Sequence, residues 1–229
     1  MGNGLRLKLL SIGGNMKNTK RLLLALSAGL LLSISGQVNL ALASPMSTSD
    51  SPSATTTTKV DANCELAVKQ ASAKYKTALP SDLCKRTITT NLGATHVLLT
   101  SELQSVSSSL SGSDYLALKA SVAAGTVKSR DYSQAINNGT DSETQNGTFY
   151  YDGVRAWVTS SYRGVVGSHR CAVNWTVGYS VALQGCFESG STSDRVLSQQ
   201  WLFTPFFNGF PLSWSETYSM HVNATGQTW

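Results

Sequence analysis

From Cys171 onward the chain alternates: Cys171, Val173, Trp175, Val177, Tyr179 and Val181 stand against Ala172, Asn174, Thr176, Gly178 and Ser180. A period of two over that span predicts a half-buried strand or hairpin with Cys171 on the buried side. Upstream, Phe149 to Trp157 places Asp152-Gly153 between two β-prone runs. That dipeptide tolerates the positive φ of a two-residue hairpin turn. In such a hairpin Val154, Ala156 and Val158 face one side, and Arg155, Trp157 and Thr159 the other. Further strands are predicted over 195–204 and 213–223, with turns at Gly190 to Ser193 and Asn208-Gly209.

Before Gly125 the periodicity is helical. Asp61 or Asn63 suits an N-cap, Glu65 favours the first turn, and Leu66, Val68, Tyr75 and Leu79 form an apolar stripe that Pro80 stops. Residues 100–124 read as one or two more helices, with Thr100 and Ser113 as caps and Tyr115, Leu116, Leu118 and Val122 as the buried face. Between them, 86–100 has room for a short strand pair. The expected fold is therefore α+β: a short N-terminal helical segment (60–125) followed by a mainly antiparallel β-sandwich or barrel (126–229).

Two segments ahead of this read differently. Met16 to Arg21 carries three positive charges, Leu22 to Leu32 contains seven leucines, and Ala41-Leu42-Ala43 supplies small residues before Ser44. These are the three parts of a secretory signal, so residues 1–43 are expected to be a signal peptide. The apolar run is too short for the ~20 residues that span a bilayer, so no membrane association is expected after cleavage. Residues 44–59, nearly all Ser, Thr, Pro and Ala, read as a disordered leader.

Removing 1–43 changes the charge. Five of the eighteen Lys and Arg lie there with no acid, which leaves thirteen basic residues against thirteen acidic ones. A nucleic-acid partner needs a basic excess, and none remains.

Four cysteines in an exported chain suggest two disulfides, the simplest pairing being Cys64–Cys84 and Cys171–Cys186, each worth ~3 kcal/mol by loop closure. Cys171 and Cys186 are equidistant from Gly178-Tyr179, so a tight turn there sets them across from one another. A zinc site needs ligand spacing that His96, His169 and His221 do not provide, although His169 shares a face with Cys171. No metal or cofactor is expected.

There is no nucleophile elbow, and Gly167-Ser168-His169 is a chance adjacency. Glu216 lies in an apolar stripe with Trp214, Tyr218, Met220 and Val222. It is an acid with a raised pKa, the partner of Arg155, Arg163 or Arg195, or part of a strand end lying in solvent. Trp157 with Arg155 and Arg163 is either an exposed binding platform or, if the helices cover it, core. Trp175, Trp201 and Trp214 are assigned to the core. Asn138, Asn146, Asn174 and Asn223 each head an N-x-Thr sequon.

The stretch from Phe149 to Cys171, with Cys186-Phe-Glu-Ser-Gly190 and the tail Trp214 to Ala224, resembles uncharacterised small secreted proteins of filamentous soil bacteria. The resemblance implies export from a bacterium and brings no activity or site residue with it. The expected function is a secreted extracellular binding module whose ligand is a glycan, a cell-wall component or a protein. The alternatives are a secreted hydrolase with scattered site residues and an inhibitor or toxin-like effector.

Overall fold

Buried positions recur at every second residue over much of 128–137, 141–151, 197–205 and 214–222, and these runs lie in two antiparallel sheets. The computed structural model describes residues 51–105, 107–207 and 209–229. The expected signal peptide, its cleavage site and residues 44–50 lie outside them. Strands β1 (Ser53–Val60), β2 (Lys85–Leu92), β3 (His96–Val97), β4 (Lys128–Asn137), β5 (Asp141–Tyr151), β6 (Ala156–Trp157) and β7 (Ser168–Thr176) form the first sheet. Its order is β1-β2-β4-β5, with β3 beside the start of β4 and with β7 and β6 side by side along β5. The second sheet holds β8 (Tyr179–Gly190), β9 (Asp194–Phe207), β10 (Phe210–Pro211) and β11 (Trp214–Asn223), with β9 central. With helices α1 (Ala62–Tyr75) and α2 (Gly112–Ala123) the fold is α+β and mostly antiparallel β.

The two sheets share their interior. Leu92, Tyr132, Phe149 and Tyr151 of the first meet Leu197, Met220 and Val222 of the second. Ile136 meets Trp201, Phe203, Trp214 and Tyr218, and Cys64 and Ala71 of α1 close that end. A third cluster forms under α2, where Leu118 and Val122 pack with Leu98, Leu103, Val127, Trp157 and Val165.

Several expectations change. Residues 53–59 are not a disordered leader: they form edge strand β1, in register from Ser53↔Leu92 to Val60↔Lys85. Threonine is β-branched, and the run Thr55 to Thr58 pairs with a second threonine-rich strand. Asp61 occupies the N-cap position of α1 but makes no side-chain capping bond. The helix ends in a left-handed Lys76, ahead of Pro80. Ser111 rather than Ser113 caps α2, accepting from the Asp114 N–H at 3.2 Å, and Leu116 is exposed. Asp152-Gly153 does lie in a hairpin, but pairing of Tyr151 with Ala156 leaves a four-residue loop. Asp152 Oδ1 accepts from the N–H groups of Val154 and Arg155 there.

The disulfides are Cys64–Cys84 and Cys171–Cys186. The second joins β7 to β8, which turn at Val177-Gly178 but then enter different sheets, so it staples sheet to sheet instead of bracing a ladder. That divergence also explains Trp175, which was expected in the core and is 41% exposed. It sits on edge strand β7 where the second sheet has turned away.

Candidate functional site

Trp157 is core. It is 4% exposed, stacks on Tyr150, meets Tyr162 edge-on, and its Nε1–H donates to the Val165 carbonyl at 3.1 Å. The exposed-platform alternative fails because α2 and its neighbours cover the face on which period two places the ring. Arg155 and Arg163 remain nearby, each over the Tyr162 ring at 4.8 and 5.0 Å. Glu216 pairs with Lys59 at 2.8 Å and accepts from Asn63 Nδ2 at 3.0 Å. It is thus an ion-pair partner of Lys59 on β1, with a hydrogen bond from Asn63 of α1, and not of any of the three arginines considered. Ser168 and His169 point to opposite faces of β7: Ser168 Oγ accepts from the Thr148 N–H, whereas His169 Nε2 meets Gln145 Oε1 at 3.0 Å. That Nε2 is also 3.6 Å from Cys171 Sγ, whose sulfur is bonded to Cys186. Burial lowers the His169 pKa.

Sequence reasoning missed a charged cluster in the interior. Arg86 of β2 is fully buried, with Nε 3.3 Å from Asp61 Oδ2, Nη1 on Asp141 Oδ1, and the guanidinium 4.3 Å from the centre of the Phe203 ring. Tyr218 donates its hydroxyl to Asp61 Oδ2. Asp61 therefore serves Arg86 and Tyr218 instead of its helix. Glu143, two residues along β5 from Asp141, has both carboxyl oxygens buried and without a partner among the described residues. Burial first, then the nearby Asp141, pushes its pKa up to about 8. Burial also lifts Asp61, against the pull of Tyr218 and Arg86. Neutralising a buried carboxyl by protonation is the less costly alternative to an unpaired interior charge. These side chains are enclosed, so the cluster forms part of the interior between the elements that carry it.

A groove of about 380 Å³ opens beside the C-terminal tail. After β11 the chain reverses on Asn223, whose Oδ1 accepts from the Thr225 N–H and hydroxyl and from the Gln227 N–H. Gly226 takes a positive φ there and lies against the Tyr151 ring, where any side chain would collide. The returning tail pairs with β11 through the His221 N–H to Trp229 carbonyl bond (3.0 Å). Arg130 donates to the carbonyls of Gly93, Gly226 and Ser51 and so ties three separate segments together beneath the groove.

The walls are then the hydroxyls of Ser53, Thr55, Thr90, Thr95, Thr225 and Thr228, the Gln227 amide, and two aromatic rings. Tyr151 is buried and its hydroxyl meets Thr95 Oγ1 at 3.1 Å. Trp229 is 62% exposed, with one face of the indole stacked on His221 at 4.9 Å. His221 Nδ1 is in turn 3.1 Å from both oxygens of Asp194, which fixes the ring. No Asp, Glu, His or Cys belongs to the lining. The only sequence signal for this site was an isolated Trp229 beyond the turn-forming Asn223 to Gly226.

Comparison of the chain with protein-family models, with curated proteins and with solved structures finds no match to any of them. Among the described residues, no helix is long and apolar enough to cross a membrane.

Proposed function

We propose that the protein is a secreted binding module that holds a neutral glycan in the groove beside Trp229. The observation that carries this reading is the chemistry of the lining: many hydroxyl side chains, one amide and an exposed indole, with no acidic side chain. Sugars offer hydroxyls for the first and C–H faces for the second, and an open aromatic ring supplies a stacking surface at low entropic cost. Its single charged side chain, Arg130, is already engaged by backbone carbonyls. General acid–base hydrolysis needs a positioned titratable group, so binding fits the lining better than catalysis. Export is supported by the signal pattern of residues 16–43, the two disulfides and the balanced charge of residues 44–229. On this reading the scaffold is a β-sandwich, which is supported by β7 and β8 each pairing within one sheet and by the absence, among the described residues, of a ladder between the two sheets.

The test is retention on insoluble cellulose, chitin, xylan and mannan, measured for the wild type and Trp229→Ala. The expected result is retention on at least one polysaccharide, lost about tenfold or more in the variant while its melting temperature stays within about 2 °C. No retention by the wild type on any of them, or equal retention by the variant, would overturn the reading.

A further inference from the structure

A second opening, built from different residues, has the opposite chemistry. We propose that the pocket between Arg155 and Arg195 is a binding site for a small oxyanion: a carboxylate, sulfate or phosphate group. The pocket holds about 150 Å³. At ~30 Å³ per water that is room for about five waters, or an oxyanion with part of its carrier. Arg155, Arg195, Ser160, Ser161, Thr192 and Tyr162 line it together with Ala156 and Trp157, and no Asp or Glu does. The two arginines are cationic, and the four hydroxyl side chains can donate hydrogen bonds. Two arginines and four hydroxyls with no acid among them make a lining suited to an anion.

The donors are both unspent and held in place. Arg195 uses Nε on Glu188 Oε1 (2.7 Å) and Nη1 on the carbonyls of Gly190 (2.9 Å) and Ser191 (3.2 Å). Its Nη2 has no protein partner among the described residues. Glu188 is fully occupied in return, accepting from the Thr159 N–H at 2.8 Å, from the Thr159 hydroxyl, and from Arg195. It therefore orients Arg195 without closing the pocket. The Arg155 guanidinium has no hydrogen-bonding partner among the described residues and lies over the Tyr162 ring at 4.8 Å.

Tyr162 is itself clamped. Trp157 meets it edge-on at 5.0 Å, and Arg163, whose Nη1 donates to Ser121 Oγ at 2.6 Å, packs against its ring. Arg163 and Gly164 form a two-residue turn closed by paired bonds between Tyr162 and Val165, and both take positive φ. Asn, Asp or Gly normally occupy the first position of such a turn. An arginine there accepts backbone strain, and the position delivers its side chain to Tyr162. Arg163 is thus a positioning residue for Tyr162, and through it for Arg155.

The test is a saturable shift in melting temperature or in backbone amide NMR signals on titration, in low-salt buffer, with sodium sulfate, sodium phosphate, sodium glucuronate, and glucose as the neutral control. Saturation by sulfate or phosphate identifies a free oxyanion as sufficient. Saturation by glucuronate alone identifies the acidic group of a sugar. In either case Arg155→Gln, an exposed position, should melt like the wild type without anion and bind the anion about tenfold or more weakly. Trp229→Ala should bind it unchanged, which separates this site from the glycan groove. Absence of saturation with all three anions, an equal response to glucose, or unaltered binding by Arg155→Gln would overturn the proposal.

Discussion

Glu143→Gln should gain stability relative to the wild type as pH rises from about 5 to 8. Glu143 is fully buried, neither carboxyl oxygen has a partner among the described residues, and its pKa in the fold is pushed up to about 8 from an ordinary 4.5. The folded state therefore keeps its proton where the unfolded chain has lost it. Stability is full below about pH 4.5, falls as pH rises through the window from there to about 8, and is flat above it. At ~1.4 kcal/mol per pH unit this window of about 3.5 units corresponds to about 5 kcal/mol. Since a domain of this kind has only ~5–15 kcal/mol in total, the effect is large.

Glutamine has nearly the shape of the protonated acid and does not titrate, so the variant lacks this loss. Whatever fixed cost its amide carries cancels when each protein is compared with itself at two pH values. Calorimetric or circular-dichroism melts at half-unit intervals from pH 4.5 to 8.5 measure the effect. The gap between variant and wild type should open by roughly 10–20 °C across the window. A gap that stays constant would mean that Glu143 ionises in the fold like an ordinary carboxylate, and the argument from its burial would be wrong.

Trp157→Ala should cost ~3–5 kcal/mol, read by urea or thermal unfolding, because it empties a stacked, hydrogen-bonded core site; a loss below ~1 kcal/mol would return the ring to the surface. Glu216→Gln should cost at most about 1 kcal/mol, since its partner Lys59 has a side chain 43% exposed, and 1 M NaCl should erase the difference in melting. Replacing Cys171 and Cys186 together by serine should lower stability by ~3 kcal/mol without a change in far-ultraviolet circular dichroism, because the bridge closes a 15-residue separation between sheets that each have their own ladders. Asn223→Ala should destabilise by ~1 kcal/mol and reduce any polysaccharide retention along with it, because one carbonyl oxygen organises the tail that carries Trp229.

Local patterns were legible where one strand face is uniformly apolar. Trp214, Tyr218, Met220 and Val222 mark β11 without ambiguity, and the cysteine spacing about Gly178-Tyr179 indicates the bridge between β7 and β8. What was not legible depended on a partner distant in sequence. The threonine run of β1 reads as low complexity until β2, some thirty residues later, supplies Thr87, Thr89 and Thr90 as its ladder. Trp157 faces outward on any period-two count, and only α2 and the segments around it turn that outer face into core. The groove has no motif at all, being assembled from β1, β2, the loop at Thr95 and the C-terminal tail. The sequon Asn223-Ala-Thr, and likewise Asn138-Gly-Thr, has a structural cause. In both, the asparagine Oδ1 accepts from the N–H and the hydroxyl of the threonine two residues on.

Strand β5 shows why the charged interior escaped a reading by pattern. Asp141, Glu143 and Gln145 lie on the same face as Phe149 and Tyr151, so the apolar end of the strand implies that its acidic end is buried. Polarity implies the opposite, and burial of two acids is the more costly assumption when each residue is considered alone. The conflict disappears only when Arg86 is brought in from β2, 55 residues away, to meet Asp141, and when Glu143 keeps its proton. The charge of Asp141 is then answered by a cation that also serves Asp61, and the charge of Glu143 is never formed. An interior arranged this way tolerates acid better than base, so the pH dependence of stability is the measurable trace of a burial pattern that the sequence periodicity of β5 already implied.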